Sequence, residues 1–208
     1  MKDETAIDQD SPTSRRMKAR IIGATVEVVA QHGLSATTLA RVADYAGVSQ
    51  GVLVFHFKSK SGLFNATCRQ LVQDYMAVWQ PVLEEPDPVR RVVGLVKADF
   101  DISICGPTQL ALWFAFWGDG GASQWYDEDC RNADVSRDQA MLAACRALTA
   151  DDPANNPELL AVAIDRFTDG LWLQMHLRRG ELSRDQALDM ALRHLGLLVP
   201  ESRRWGHA

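Results

Sequence analysis

Between Thr38 and Phe57 the residue types and their spacing suit insertion into the major groove of duplex DNA. The stretch reads Thr38-Leu-Ala-Arg-Val-Ala-Asp-Tyr-Ala-Gly-Val-Ser-Gln-Gly-Val-Leu-Val-Phe-His-Phe57. Thr38 can cap a short helix whose Leu39, Val42, Ala43 and Ala46 share one face. Gly47 follows, a residue type that takes the left-handed conformation needed to leave a helix sharply. Ser49 can cap a second short helix, with Val52 and Leu53 turned inward and Gln50 and Gly51 at its exposed start. Two helices joined in this way form a helix-turn-helix, which lays its second helix in the groove. The same pattern fits an ordinary helical hairpin, so the flanking charge bears on the choice.

That charge is unevenly spread. The chain has 208 residues and a net charge of −5. Residues 15–69 carry +6, with Arg15, Arg16, Lys18 and Arg20 forming a basic arm, whereas residues 70–208 carry −8. A basic quarter on an acidic remainder can present one end to phosphate.

A second set of side chains suits a different chemistry. Trp113, Phe114, Phe116 and Trp117 crowd one short apolar helix, Trp172 lies on a later helix, and Trp125-Tyr126 follow a glycine-rich loop. The faces of aromatic rings attract quaternary ammonium groups, and Asp101 and Asp169 could supply a carboxylate nearby. A cationic ligand is therefore one candidate. An amphipathic acid or a small apolar metabolite is its rival, and aromatic residues at helical spacing also commonly form core.

Other chemistries find no support. The five histidines (32, 56, 176, 194 and 207) lack metal-ligand spacing. Gly-x-Ser-x-Gly, P-loop and dinucleotide motifs are absent from the sequence. No metal, no cofactor and no catalytic residue is expected, and Asp127-Glu-Asp129 reads as a solvated face. The cysteines at 68, 105, 130 and 145 suit reduced thiols in a cytoplasmic protein better than a disulfide framework. A redox-sensing or helical interaction protein without specific DNA binding is the alternative. No run of apolar residues is long enough to span a membrane, and the N-terminus reads as a polar tail rather than a signal peptide.

The pattern that positions these residues is helical nearly throughout, with about nine helices in two groups and no convincing strand. The first helix opens at Pro12-Thr13-Ser14 and stops at His32-Gly33. The two short helices follow. A longer one spans about Ser61 to Glu85, capped by Ser59 and bent or shortened by Pro81. Asp87-Pro88 opens the next, to about Asp101, and Thr108 to Gly118 is short and intensely apolar. A helix of mixed polarity ends near Ala150, residues 151–157 form a linker, and two final helices cover Glu158 to Arg179 and Ser183 to Leu198.

The chain resembles the tetracycline-repressor (TetR) family of bacterial transcription regulators. The matching stretch runs from Arg15 to about Leu71 and includes Gly33, Thr38, Ala43, Gly47-Val48-Ser49, Gly51, Leu53, Phe57, Lys60 and Leu63. Phe100-Asp101, Trp113 to Trp117 and Asp169 to Leu173 are similar to segments of one subgroup, the choline-responsive repressors of betaine synthesis. The resemblance implies an all-α homodimer, with a three-helix DNA-binding head at residues 14–62 and a larger helical regulatory and dimerisation domain at residues 63–200. Residues 1–13 and 201–208 would be tails.

By position, it makes Gln50 to His56 the recognition helix. Gln50 would pair with an adenine edge, Gly51 would allow close approach and Val52 would touch a thymine methyl. Phe55 and His56 would contact bases or phosphates. Val54 stands where the family commonly has tyrosine, and His56 where it often has another. Thr38 and Lys60, at helix starts, and Arg41 would meet phosphates. The partner would be a near-palindromic double-stranded operator. The effector would be a small molecule, choline-like if cationic, in a pocket of Asp101, Trp113, Phe116, Trp117, Trp125, Asp169 and Trp172. Ile164, Phe167, Leu171, Met175, Met190 and His194 would form the dimer interface, in part or whole.

Overall fold

Helix begins at Pro12, where the proline occupies the first turn and loses no internal hydrogen bond. The computed structural model describes residues 11–118, 128–150 and 156–204, and these hold helices and no strand. Ser11 caps α1 (Pro12–Ala36) by accepting from the Ser14 amide at 3.2 Å. The N-terminal tail expected through residue 13 therefore gives way to helix two residues sooner. Gly33, at φ 77°, interrupts α1 where the sequence places its stop.

The head is completed by α2 (Leu39–Ala46) and α3 (Gln50–Phe57). Thr38 caps α2, its hydroxyl accepting from the Arg41 amide at 3.2 Å. Ser49 occupies the equivalent position before α3, but its side chain makes no capping bond. Gly47 takes the left-handed conformation, φ 63° and ψ 42°, and its amide bonds the Asp44 carbonyl at 3.1 Å. A side chain there would be strained and would also meet the Arg20 guanidinium at 2.8 Å. Arg20 itself donates to the Gly47 carbonyl at 3.4 Å, so this member of the basic arm braces the turn.

Beyond the head, α4 (Lys60–Trp79) runs into a 3-10 turn at Gln80–Glu84, which contains Pro81. Proline has no amide proton for the helical ladder, and the helix ends early as anticipated. Then come α5 (Pro88–Asp99), capped by Asp87, and α6 (Ile102–Cys105), a single turn that periodicity could not reveal. α7 (Pro107–Gly118), α8 (Glu128–Leu148), α9 (Pro157–Leu177) and α10 (Arg184–Leu198) follow. Pro200–Arg204 forms a closing 3-10 turn, with Ser202 buried, where the sequence suggested a tail.

Two apolar cores result. Ile21, Ala24, Val28, Val42, Ala43, Ala46, Leu53, Phe57 and Leu63 fill the head. The larger core contains Phe64, Trp79, Phe100, Trp113, Phe116 and Trp172. Burying each such side chain is worth about 1.5–3 kcal/mol. The division falls between neighbours on the same helices. Val28 and Leu63 face the head, while Val29 and Phe64 join the larger core. Both α1 and α4 thus join the two cores, and α1 also packs directly against α7.

Candidate nucleic-acid interface and ligand cavity

The eight residues of α3 present a narrow outward strip. Leu53 and Phe57 are buried in the head, which orients the opposite side to solvent. Gln50, Gly51, Val54 and Phe55 are exposed, at successive and one-turn spacing. Val52 is half-buried against the head core, so its methyls face inward. His56 is also half-buried. It borders, with Val52, Phe55 and Met17, a hollow of about 430 Å³ between α3 and the start of α1. Burial first, and then the charges of Lys18 and Lys58, lower the His56 pKa below 6.5, so at neutral pH it is an uncharged imidazole. Val54 was not foreseen as a contact, although its place one turn after Gln50 is the signal that points to it.

Cations surround the strip. Arg15, Arg16 and Arg41 are exposed and Lys18 is half-buried. Arg41 donates to the Ala36 carbonyl at 2.7 Å, which ties it across the start of α2. Lys60 is drawn inward, with its ammonium 3.4 Å from the Leu34 carbonyl and 5.1 Å from the Phe64 ring centre. The α3–α4 joint is tight. Lys58 adopts φ 67° and ψ −42°, and the Ser59 amide donates to the Phe57 carbonyl at 2.8 Å, closing a strained three-residue turn. A β-carbon on Gly62 would overlap that carbonyl oxygen.

The larger core contains a cavity of about 500 Å³. Its wall is aromatic on one side: Trp113 and Trp117 on α7 (centroids 5.5 Å apart), Trp172 on α9 (6.3 Å from each) and Tyr75 on α4 (6.1 Å from Trp113). Phe114 lies at 5.5 Å from Trp117 and also lines it. The remaining lining includes Asp99, Asp134, Arg137, Asp138, Asp165, Arg166 and Asp169.

A buried polar network holds these parts together. Asp99 accepts from the Tyr75 hydroxyl at 2.6 Å and from Arg137 at 3.0 and 3.1 Å, and its backbone carbonyl accepts from the Trp172 indole at 3.0 Å. Burial pushes the Asp99 carboxyl up, against the pull of Arg137. Burial likewise lifts Asp165 to about 7, opposed by Arg137, whose nearer nitrogen is 3.7 Å away. Asp169 is raised by burial too, against the attraction of Arg166 at 2.8 Å.

Of the seven residues expected in the pocket, Trp113, Trp117, Trp172 and Asp169 line the cavity. Trp125 lies outside the described residues. Asp101 does not line the cavity. Its carboxylate caps α6, accepting from the Ser103 amide at 2.8 Å and hydroxyl at 2.6 Å, and Asp99, two residues earlier, reaches the cavity instead. Phe116 is core, edge-on to Phe64 at 6.4 Å. Tyr75, Asp99, Arg137, Asp138 and Asp165 were missed. Asp165, Asp169 and Trp172 at i, i+4 and i+7 carried a readable signal, whereas Arg137, on a helix of mixed polarity, carried none.

The interface residues also divide. Ile164 and Leu171 are 3% and 5% exposed and face their own core. Phe167 and Met175 are half-buried, and Phe167 stacks on His194 at 3.9 Å. Met190 is exposed, as are Leu159, Val162, Leu173 and Leu177 of α9 and Leu197 of α10. Gly170 is exposed in the middle of α9.

The thiols do not suit redox sensing. All four cysteines are buried, and burial pushes Cys105 and Cys145 up to about 12, far from the thiolate range. Among the described residues, no helix is long and apolar enough to cross a membrane.

Residues 21–67 match the model of bacterial regulatory proteins of the tetR family, and residues 88–200 match that of the BetI-type transcriptional repressor C-terminal domain. The chain is 30% identical over 188 residues to the HTH-type transcriptional regulator BetI of Paraburkholderia phymatum, covering 89% of this chain and 94% of that one. It is 28% identical to the protein of the same name from Ectopseudomonas mendocina, covering 89% and 95%. In fold it is similar to a TetR transcription regulator from Haloarcula marismortui, with a TM-score of 0.74 over 90% of this chain and 98% of that one at 16% identity.

Proposed function

Since this chain belongs to the TetR family and carries a BetI-type repressor C-terminal domain, we propose that it acts as a homodimeric repressor. It binds a near-palindromic operator and is released by a cation with a choline-like headgroup. It is a transcription regulator and not an enzyme, as are the relatives it resembles.

The head, residues 14–62, carries out the reading. Gln50 and Gly51 approach base edges, and Val54 and Phe55 offer apolar surface to thymine methyls. Arg15, Arg16, Lys18, Thr38, Arg41 and Lys60 meet phosphates and set the orientation. One short helix makes few base contacts, so two heads are needed, with half-sites about one helical turn apart. The exposed apolar residues of α9 and α10 supply the pairing surface, around Leu159, Val162, Leu173, Leu177, Met190 and Leu197, with Phe167, Met175 and His194 at its edge. Gly170 lets two α9 helices approach closely.

The observation that carries the effector reading is the meeting of three tryptophans and Tyr75 with a cluster of aspartates around one cavity. Ring faces and carboxylates both favour a cation, and the carboxylates disfavour an amphipathic acid. The route to the head is short. Trp113 and Trp117 sit on α7, which packs on α1, and Phe116 of α7 meets Phe64 of α4. A shift of α7 therefore bears on both helices that join the cores, and so on head spacing.

Tryptophan fluorescence titrated with choline tests the site. Quenching that saturates, and that Trp172→Ala and Asp169→Asn weaken, supports it. A linear response equal in wild type and variants opposes it.

A further inference from the structure

The cavity is larger and more negative than a small monovalent onium requires. Its volume of about 500 Å³ is that of a site for a drug-sized ligand, and a trimethylammonium alcohol leaves much of it empty. Asp99, Asp138, Asp165 and Asp169 line it against Arg137 and Arg166, a surplus of two negative charges when all are ionised. Arg137 is committed to Asp99 and Arg166 to Asp169. Asp165 meets only the far edge of Arg137, at 3.7 Å, and Asp138 directly follows Arg137 on α8 and is exposed. A single positive charge does not balance these carboxylates, and uncompensated charge in a partly enclosed site is costly.

The negative and aromatic features are also spread along the cavity. Asp165, Asp169 and Trp172 stand one helical turn after another on α9, so this wall runs about 10 Å along the helix axis. Asp165 marks one end, and the Trp172 ring, with Trp113 and Trp117 each 6.3 Å from it, marks the other.

We propose that this cavity takes an elongated dication, with one onium group against the tryptophan rings and a second positive group against Asp165 and Asp138. The inference rests on the reading of the cavity as a cation site and extends it from one charged centre to two.

The experiment compares choline and tetramethylammonium with a series of α,ω-bis(trimethylammonium)alkanes, from butane to decane, by isothermal titration and tryptophan quenching on the full-length dimer. The expected result is an affinity maximum at an intermediate chain length, about ten-fold or more tighter than choline, as one added charge contact would give. Asp138→Asn, at an exposed position, should lower the best dication's affinity about five-fold or more while changing choline by less than about two-fold. Choline binding as tightly as every dication, or an Asp138→Asn variant that weakens both ligands alike, overturns the two-centre site and leaves the cation-site reading intact. If neither choline nor any dication binds, the cation-site reading falls along with it.

Discussion

Arg137 on α8 lays one nitrogen 3.0 and 3.1 Å from the two carboxylate oxygens of Asp99 on α5, and both side chains are less than 10% exposed. This pair anchors the floor of the cavity, because Asp99 also holds Tyr75 and Trp172 in place. Removing one partner of a buried pair leaves the other charge uncompensated, at a cost of about 3–5 kcal/mol. Asp99→Ala should therefore destabilise the protein by about that much in urea denaturation, and Tyr75→Phe by only about 1 kcal/mol. A loss below about 1 kcal/mol for Asp99→Ala would show that the pair does not hold the domain together.

Effector affinity should depend on pH. Asp165, lifted to about 7, faces Tyr75 of α4, Asp99 of α5, Arg137 and Asp138 of α8 and Asp169 with Arg166 on its own helix. A bound cation favours the ionised carboxylate, so below that pKa binding must expel a proton. Affinity for the best dication should be full above about pH 8 and fall as the pH drops through 7, toward about ten-fold per unit. Titration calorimetry in buffers of different ionisation enthalpy should detect proton release near neutrality. A flat profile with no release would place Asp165 outside the binding equilibrium.

Gly62 has no room to grow. Its β-carbon would overlap the Phe57 carbonyl at the tight end of α3, and that backbone oxygen is held by the Ser59 amide. Gly62→Ala should cost about 1–3 kcal/mol and weaken DNA binding through a displaced α3. Gly23→Ala, in open space inside α1, is the control and should raise stability by about 0.5–1 kcal/mol while leaving DNA binding unchanged. Equal behaviour of the two variants would mean that the α3–α4 joint is loose.

The head should separate specificity from affinity. Gln50→Ala should cost about 1–3 kcal/mol against the preferred base and little against non-specific DNA. Lys60→Ala should weaken all duplexes alike and lower the slope of log affinity against log salt by about one. An unchanged slope would mean that Lys60 keeps its place on the Leu34 carbonyl and never turns to phosphate.

The head was legible because its signals are local. Thr38, Gly47 and Ser59 act within four residues of themselves, and the apolar spacing of Leu39, Val42 and Ala46 follows from a single helix face. The cavity was only half legible. Clustered tryptophans can be read on α7, but Asp99, Tyr75 and Arg137 meet from three helices, and no periodicity links residues so far apart. Asp101 misled because an aspartate before a short turn is also a good cap. The α9 stripe misled because so apolar a helix buries more than one face. Ile164 and Leu171 serve the core, and the exposed leucines lie on the opposite side.

The most direct test of a cation-released repressor is one binding equilibrium measured twice. An operator is selected from random duplex DNA, and its affinity for the dimer is measured by fluorescence anisotropy with and without saturating choline. The account predicts weakening of about 5–150-fold, the range of a coupling of roughly 1–3 kcal/mol, and the same factor for the effect of operator on choline affinity. Equal operator affinity in the two titrations, with choline shown to be bound, would contradict it.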